Sequence, residues 1–124
     1  MRIVIVEDNF NHRNKLIDLL SLHPDVELVG AFADTASAWP VITAGNIDGA
    51  FLDIEILTEG KQAGLDLALR INKLSLPTTW IAFTSALPEK SVLTGRKIGY
   101  IGYLEKPLNE NQVAQILNKA RKLG

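Results

Sequence analysis

The sequence predicts an α/β domain: five parallel strands in one doubly wound sheet, with five helices covering its two faces. Three observations carry this. Short apolar runs recur at five places along 124 residues, and runs without polar alternation are typical of strands buried on both sides. Between them lie segments with apolar residues at helical spacing. Connections of that length are crossovers, which join parallel neighbours and are right-handed.

Each element follows in order. Residues 2–7, with Ile3-Val4-Ile5-Val6, read as the first strand. Asn9 or Asn11 can cap the helix after it, which shows a stripe at Leu16, Ile17, Leu19 and Leu20 and stops before Pro24. Val26 to Phe32 is the second strand. Asp34 or Thr35 opens a helix that Pro40 should kink or shorten. Gly45-Asn46 breaks the chain, and residues 49–53 form the third strand. A helix marked by Leu65, Ala68, Leu69 and Ile71 ends before Pro77, and Thr78 to Thr84 is the fourth strand. Pro88 suits the first position of a weakly amphipathic helix running through Arg96-Lys97-Ile98. Tyr100 to Leu104 is the fifth strand. Asn109 and Gln112 form a capping box ahead of Val113, Ile116, Leu117 and Ala120 in the last helix.

The chain is sized for one domain, without repeats or linkers. Hydrophobic residues are 47% and charged residues 22%, with net charge −1, an ordinary soluble composition that gives no bulk attraction to nucleic acid. The absence of cysteine excludes disulfides and thiolate metal sites and fits a reducing compartment. Four apolar residues before Glu7 are too few for a signal-peptide core or a membrane span, so the expected location is cytoplasmic.

Function is concentrated where strands end. In sheets of this kind ligands bind beyond the carboxyl ends of the strands, and Glu7, Asp8, Asp53, Thr84 and Lys106 all finish or follow strands. Three clustered carboxylates repel one another unless a cation joins them, and an all-oxygen set suits Mg²⁺, or Mn²⁺. Lys106 adds a fixed positive charge and Thr84 a hydroxyl donor. Such a site can accept a phosphoryl group, a reaction that needs positioning and charge neutralisation, with Asp53 as nucleophile.

Five segments, Val6-Glu7-Asp8-Asn9, Leu52-Asp53-Ile54-Glu55, Gly64-Leu65, Phe83-Thr84-Ser85-Ala86 and Gly102-Tyr103-Leu104-Glu105-Lys106-Pro107-Leu108, appear in this order. Together they resemble the receiver domain of two-component response regulators, over residues 1–124. The resemblance implies a flavodoxin-like receiver fold with strand order 2-1-3-4-5. It implies that Asp53 takes a phosphoryl group from a phosphohistidine on a sensor histidine kinase or phosphotransfer protein. Magnesium would be held by Asp8, Asp53, the backbone carbonyl of Glu55 and Glu7. Thr84 would move toward the phosphoryl oxygens, Tyr103 would change rotamer, and Lys106 would pair with the phosphate. The output would be a contact with a downstream protein through the fourth helix, fifth strand and fifth helix, not catalysis and not binding to nucleic acid or membrane. The segment after Asp53 departs from the family: Leu57 stands where a proline is usual, and the loop 56–63 is longer, a candidate specificity element.

Rival readings are weaker. Asp53-Ile54-Glu55 has the acid spacing of Mg²⁺-dependent aspartyl phosphatases, but those place the strand near the N-terminus and add a cap domain. A flavin site would want a hydroxyl-rich loop after the first strand, and a receiver that signals without phosphate is hinted at only by the long loop. His12 and His23 read as solvent-facing, Trp39 and Trp80 as packing residues, and Arg96-Lys97 and Lys119 to Lys122 as exposed helix faces.

Overall fold

A computed structural model of the chain describes residues 1–74 and 79–123. The elements are β1 (Arg2–Val6), α1 (Phe10–Ser21), β2 (Glu27–Phe32), α2 (Thr35–Thr43), β3 (Gly49–Asp53), α3 (Ala63–Asn72), β4 (Trp80–Ser85), α4 (Glu89–Leu93), β5 (Gly102–Glu105) and α5 (Glu110–Leu123). All strand pairs are parallel, in the expected order β2-β1-β3-β4-β5.

Strand alternation divides the core into two layers. Val4, Val6, Leu52 and Phe83 face α2 and α3, where Ala38, Ile42, Leu67 and Ile71 meet them. Ile3, Ile5, Phe51 and Ala82 face α1 and α5, where Leu16, Leu20, Val113 and Leu117 close the other side. β3, the middle strand, is buried along its whole length. Phe51 meets Trp80 edge-on at 5.6 Å, which makes Trp80 the packing residue expected of it.

Asn9, rather than Asn11, caps α1: its side chain accepts from the His12 amide at 2.9 Å. Asp34 caps α2, which keeps Pro40 inside it and runs nine residues, short as its proline demands. The reciprocal box opening α5 forms as expected, with Asn109 and Gln112 exchanging two bonds of 2.9 Å.

Other boundaries move. α3 begins at Ala63, two residues ahead of Leu65. β4 runs Trp80–Ser85, one residue past Thr84, while the expected start at Thr78 and the proline at 77 lie outside the described residues. Thr79 instead spends its hydroxyl on the Ile47 carbonyl at 2.8 Å. Pro88 stands at the N-cap of α4 rather than inside it, and that helix stops after five residues. Gly95, at φ +78°, turns the chain out of the helix, so Arg96-Lys97-Ile98 are not helical. β5 begins at Gly102, later than the expected Tyr100.

One close approach bears directly on the strand ends. At Gly64 the first turn of α3 lies against the end of β3, where a Cβ would stand 2.1 Å from the Asp53 carbonyl oxygen. The Gly64 amide donates to the Ile54 carbonyl at 2.9 Å. The obstacle is backbone on both sides, so a methyl group must push helix and strand apart. Gly64→Ala is expected to lower stability by about 1–3 kcal/mol, the usual range for overpacking. Gly99→Ala, where a Cβ would meet nothing closer than 3.5 Å, should shift it by no more than about 0.5 kcal/mol. Urea denaturation midpoints of the two variants check this.

Candidate functional site

The carboxyl ends of β1, β3 and β5 bring acids and a base together. Glu7 follows β1, and its amide donates to the Phe32 carbonyl at 2.9 Å, which continues the β1–β2 ladder by one bond. Asp53 is the last residue of β3. Glu7 and Asp53 are only 3% and 5% exposed, and Asp8 is half-buried beside them. One carboxylate oxygen from each of Glu7, Asp8 and Asp53 lies within 4.8 Å of the others. Lys106 comes from the end of β5, where its amide donates to the Ser85 carbonyl at 2.8 Å. Its ammonium reaches back to 2.6 Å from Glu7 Oε1 and 3.4 Å from Asp53 Oδ2. Glu55, in the loop after β3, lines the same cavity.

The electrostatics are unbalanced. Burial pushes the Asp53 carboxyl up to about 8, helped by its hydrogen bond to and repulsion from Glu7 and only partly opposed by Lys106. Burial also raises Glu7, but its bonds to Asp53 and Lys106 and the Asn9 amide at 3.1 Å outweigh this and hold it below the usual range. One ammonium therefore does not neutralise the buried pair. The donor set is all oxygen and anionic, and its residual charge is what a hard divalent cation would compensate. The residues fit Mg²⁺ or Mn²⁺.

The hydroxyl at the pocket differs from the expected one. Because β4 extends to Ser85, the residue at the strand's rim is Ser85, and Ser85, Ala86 and Leu87 form that wall of the cavity. Thr84 pairs in register with Asp53 and is 2% exposed, behind the wall. Ser85 Oγ accepts from the Leu87 amide at 3.0 Å. Thr84-Ser85 offers two hydroxyls in succession, and only the true end of the strand decides which one faces the cavity. Tyr103 is half-buried on the Phe83 side of the sheet. Its hydroxyl donates to the Leu87 carbonyl at 2.7 Å, which ties β5 to the segment before α4. Burial raises the Tyr103 phenol, against the effect of its contact with Ser85.

One of the two histidines departs from expectation. His12 is exposed, as expected, but it has an acidic neighbour, with Nδ1 3.8 Å from Glu7 Oε1, and it lines the cavity. His23 is half-buried rather than solvent-facing, its Nδ1 3.3 Å from Arg121. Trp39 packs, as expected, with the Arg70 guanidinium 3.9 Å from its ring. The loop after Asp53 is pinned at two points: Ile56 is fully buried, and the Leu57 amide donates to Asp8 Oδ2 at 2.7 Å. Among the described residues no helix is long and apolar enough to cross a membrane.

Comparison with known proteins agrees with this geometry. The model of the response regulator receiver domain matches residues 3–118. The sensory transduction protein LytT of Enterococcus faecalis is 30% identical over 122 residues, covering 98% of this chain and 48% of that protein. MrkE of Klebsiella pneumoniae is 29% identical over 119 residues, covering 96% of this chain and 42% of that protein. The chain thus spans less than half the length of these two relatives. Among solved structures, the response regulatory domain of MrkE superposes with a TM-score of 0.82 at 28% identity, covering 99% of this chain and 97% of that one. The signal receiver domain of NarL from Mycobacterium tuberculosis gives 0.82 at 28% identity, covering 97% and 95%. The acidic strand ends, the sheet order and these matches agree: the chain belongs to the response regulator receiver domain family of two-component signal transduction.

Proposed function

We propose that Asp53 is the phosphoacceptor of this receiver domain, taking a phosphoryl group from a phosphohistidine on a sensor histidine kinase or phosphotransfer protein. The observation that carries the reading is the placement of the Asp53 carboxylate, at the end of the central strand, among Glu7, Asp8 and the Lys106 ammonium. In this reading an Asp53 oxygen bonds to phosphorus as the phosphorus–nitrogen bond breaks, and the imidazole leaves with the electron pair. Lys106 turns from the carboxylates to the new phosphoryl oxygens. Ser85, the hydroxyl on the cavity wall, takes the donor role that the sequence suggested for Thr84. Glu7, Asp8, Asp53 and the Glu55 carbonyl would hold magnesium or manganese, which when bound supplies the positive charge that transfer of an anionic group requires.

The output follows from Tyr103. Once Ser85 engages a phosphoryl oxygen, Tyr103 gives up the Leu87 carbonyl and changes rotamer, which alters the surface formed by α4, β5 and α5. A downstream protein reads that surface, with a two-state equilibrium biased by the phosphate. The role is signalling rather than enzymatic turnover, and we place it in the cytoplasm.

Stability should report the charge imbalance. The folded-state affinity of Asp53 for a proton is raised, from 3.8 to about 8. Its contribution is therefore fully present below pH 3.8 and is lost as pH rises through about 8. Glu7 has the opposite sign, but only near and below its ordinary value of 4.5. Between pH 5 and pH 8, without divalent metal, the melting temperature should fall by several degrees. Asp53→Asn should remove most of that fall. Excess Mg²⁺ should raise the wild-type melting temperature at pH 8, by about 2.7 kcal/mol in stability at a hundredfold excess over Kd. Calorimetry with chelator and with Mg²⁺ measures both effects.

The transfer itself is tested with a small phosphodonor and Mg²⁺, read by intact-protein mass. Wild type should gain one phosphoryl group and Asp53→Asn none; full labelling of Asp53→Asn would overturn the assignment. Ser85→Ala should slow labelling on the order of tenfold or more, as loss of a donor to a charged transition state does. Thr84→Val should slow it less, and the reverse ranking would return the hydroxyl role to Thr84.

A further inference from the structure

The loop after Asp53 is braced at its far end. Ile56 and Gly60 pair in an isolated antiparallel bridge, with amide-to-carbonyl distances of 3.1 and 2.7 Å, and the Glu59 amide donates to the Ile56 carbonyl at 2.9 Å. Ile56 is buried in the core beneath this small hairpin. From it Glu59 extends to the start of α2, 24 residues away in sequence. Its Oε1 accepts from the Thr35 amide at 2.7 Å, and its Oε2 accepts from the Thr35 hydroxyl at 2.8 Å and the Ala36 amide at 3.2 Å. A carboxylate that takes three donors at the positive end of a helix is held by charge-assisted bonds. Thr35 is itself buried, so this clamp also satisfies a polar residue removed from water. Two residues back along the same hairpin, the Leu57 amide donates to Asp8 Oδ2 at 2.7 Å.

We propose that Glu59 is a positioning residue for the cation site: by fastening the hairpin to the start of α2, it aims the Leu57 amide at Asp8 and fixes that carboxylate in its ligating orientation. The inference rests on the reading of Asp8 as a metal ligand. It assigns the lengthened loop a role as a strut inside the phosphoacceptor apparatus. The same strut links the acidic site to α2, which packs on β1 and β2, toward the opposite edge of the sheet from Tyr103 on β5. By reciprocity, cation binding at Asp8 alters the bonds at Thr35 and Ala36.

The test is a Mg²⁺ titration of the whole chain followed by amide NMR, on wild type, Glu59→Ala, Glu59→Gln and Asp34→Ala. Asp34 caps the same helix through the Ser37 amide at 2.7 Å and makes none of the hairpin's bonds. Glu59→Ala is expected to weaken Mg²⁺ binding about tenfold, the lower end of the usual effect of groups that orient metal ligands. Glu59→Gln, which keeps an acceptor oxygen, should recover most of the loss, and Asp34→Ala should bind as wild type does. In wild type the Thr35 and Ala36 amides should shift on Mg²⁺ addition, and in Glu59→Ala they should not. Equal affinity in wild type and Glu59→Ala, or an equal loss in Asp34→Ala, would overturn this inference alone. Failure of the wild type to bind Mg²⁺ would overturn the metal site and this inference together.

Discussion

A single ammonium set between two buried carboxylates is the constraint around which this molecule is arranged. Lys106 lies close enough to Glu7 and Asp53 to bond one and attract the other, yet it cannot neutralise both. The three residues come from the ends of three different strands. Their encounter therefore depends on the relative offsets of β1, β3 and β5, and a slip of one residue would turn each side chain to the other face. The two apolar layers hold those offsets. The site is a place where the fold keeps an uncompensated interaction, a common way for a structure to store chemical potential at a functional position.

Support comes from directly behind Asp53. Gly64 lets α3 lie against the Asp53 carbonyl with no room for a methyl group, so the backbone that carries Asp53 is backed by helix as well as flanked by strands. The cavity wall on the other side is built differently. It consists of Ser85, Ala86 and Leu87, held to β5 by the Tyr103 hydroxyl and followed by a helix of only five residues.

The strands were legible because their apolar runs are unbroken, and the acidic ends were legible because parallel topology gathers strand termini on one edge. The box at Asn109 and Gln112 was readable from local chemistry alone, whereas local chemistry offered two candidates for each earlier cap, Asn9 or Asn11 and Asp34 or Thr35, and the fold chose the first of each. What escaped depended on events remote in sequence. Whether Thr84 or Ser85 faces the cavity turns on where β4 ends, and both residues favour that position equally. The weak helix near Arg96 dissolved because Gly95 takes a left-handed conformation that no apolar pattern announces. The bond from Glu59 to Thr35 joins residues 24 apart, and neither partner belongs to a recognisable motif. His12 came to face Glu7 because the turn of α1 above Asn9 places it there, a matter of helix phase and not of composition.

Arg70 stacks 3.9 Å from the indole ring of Trp39, about one helical turn along α2 from Thr35. The second indole, Trp80, is sealed against Phe51 in the opposite layer. The chain thus contains two native fluorophores in contrasting surroundings, one half-buried on α2 beneath a guanidinium and one in the layer against α1 and α5. Emission from the first can follow α2 in unlabelled protein, with the second serving as an internal reference.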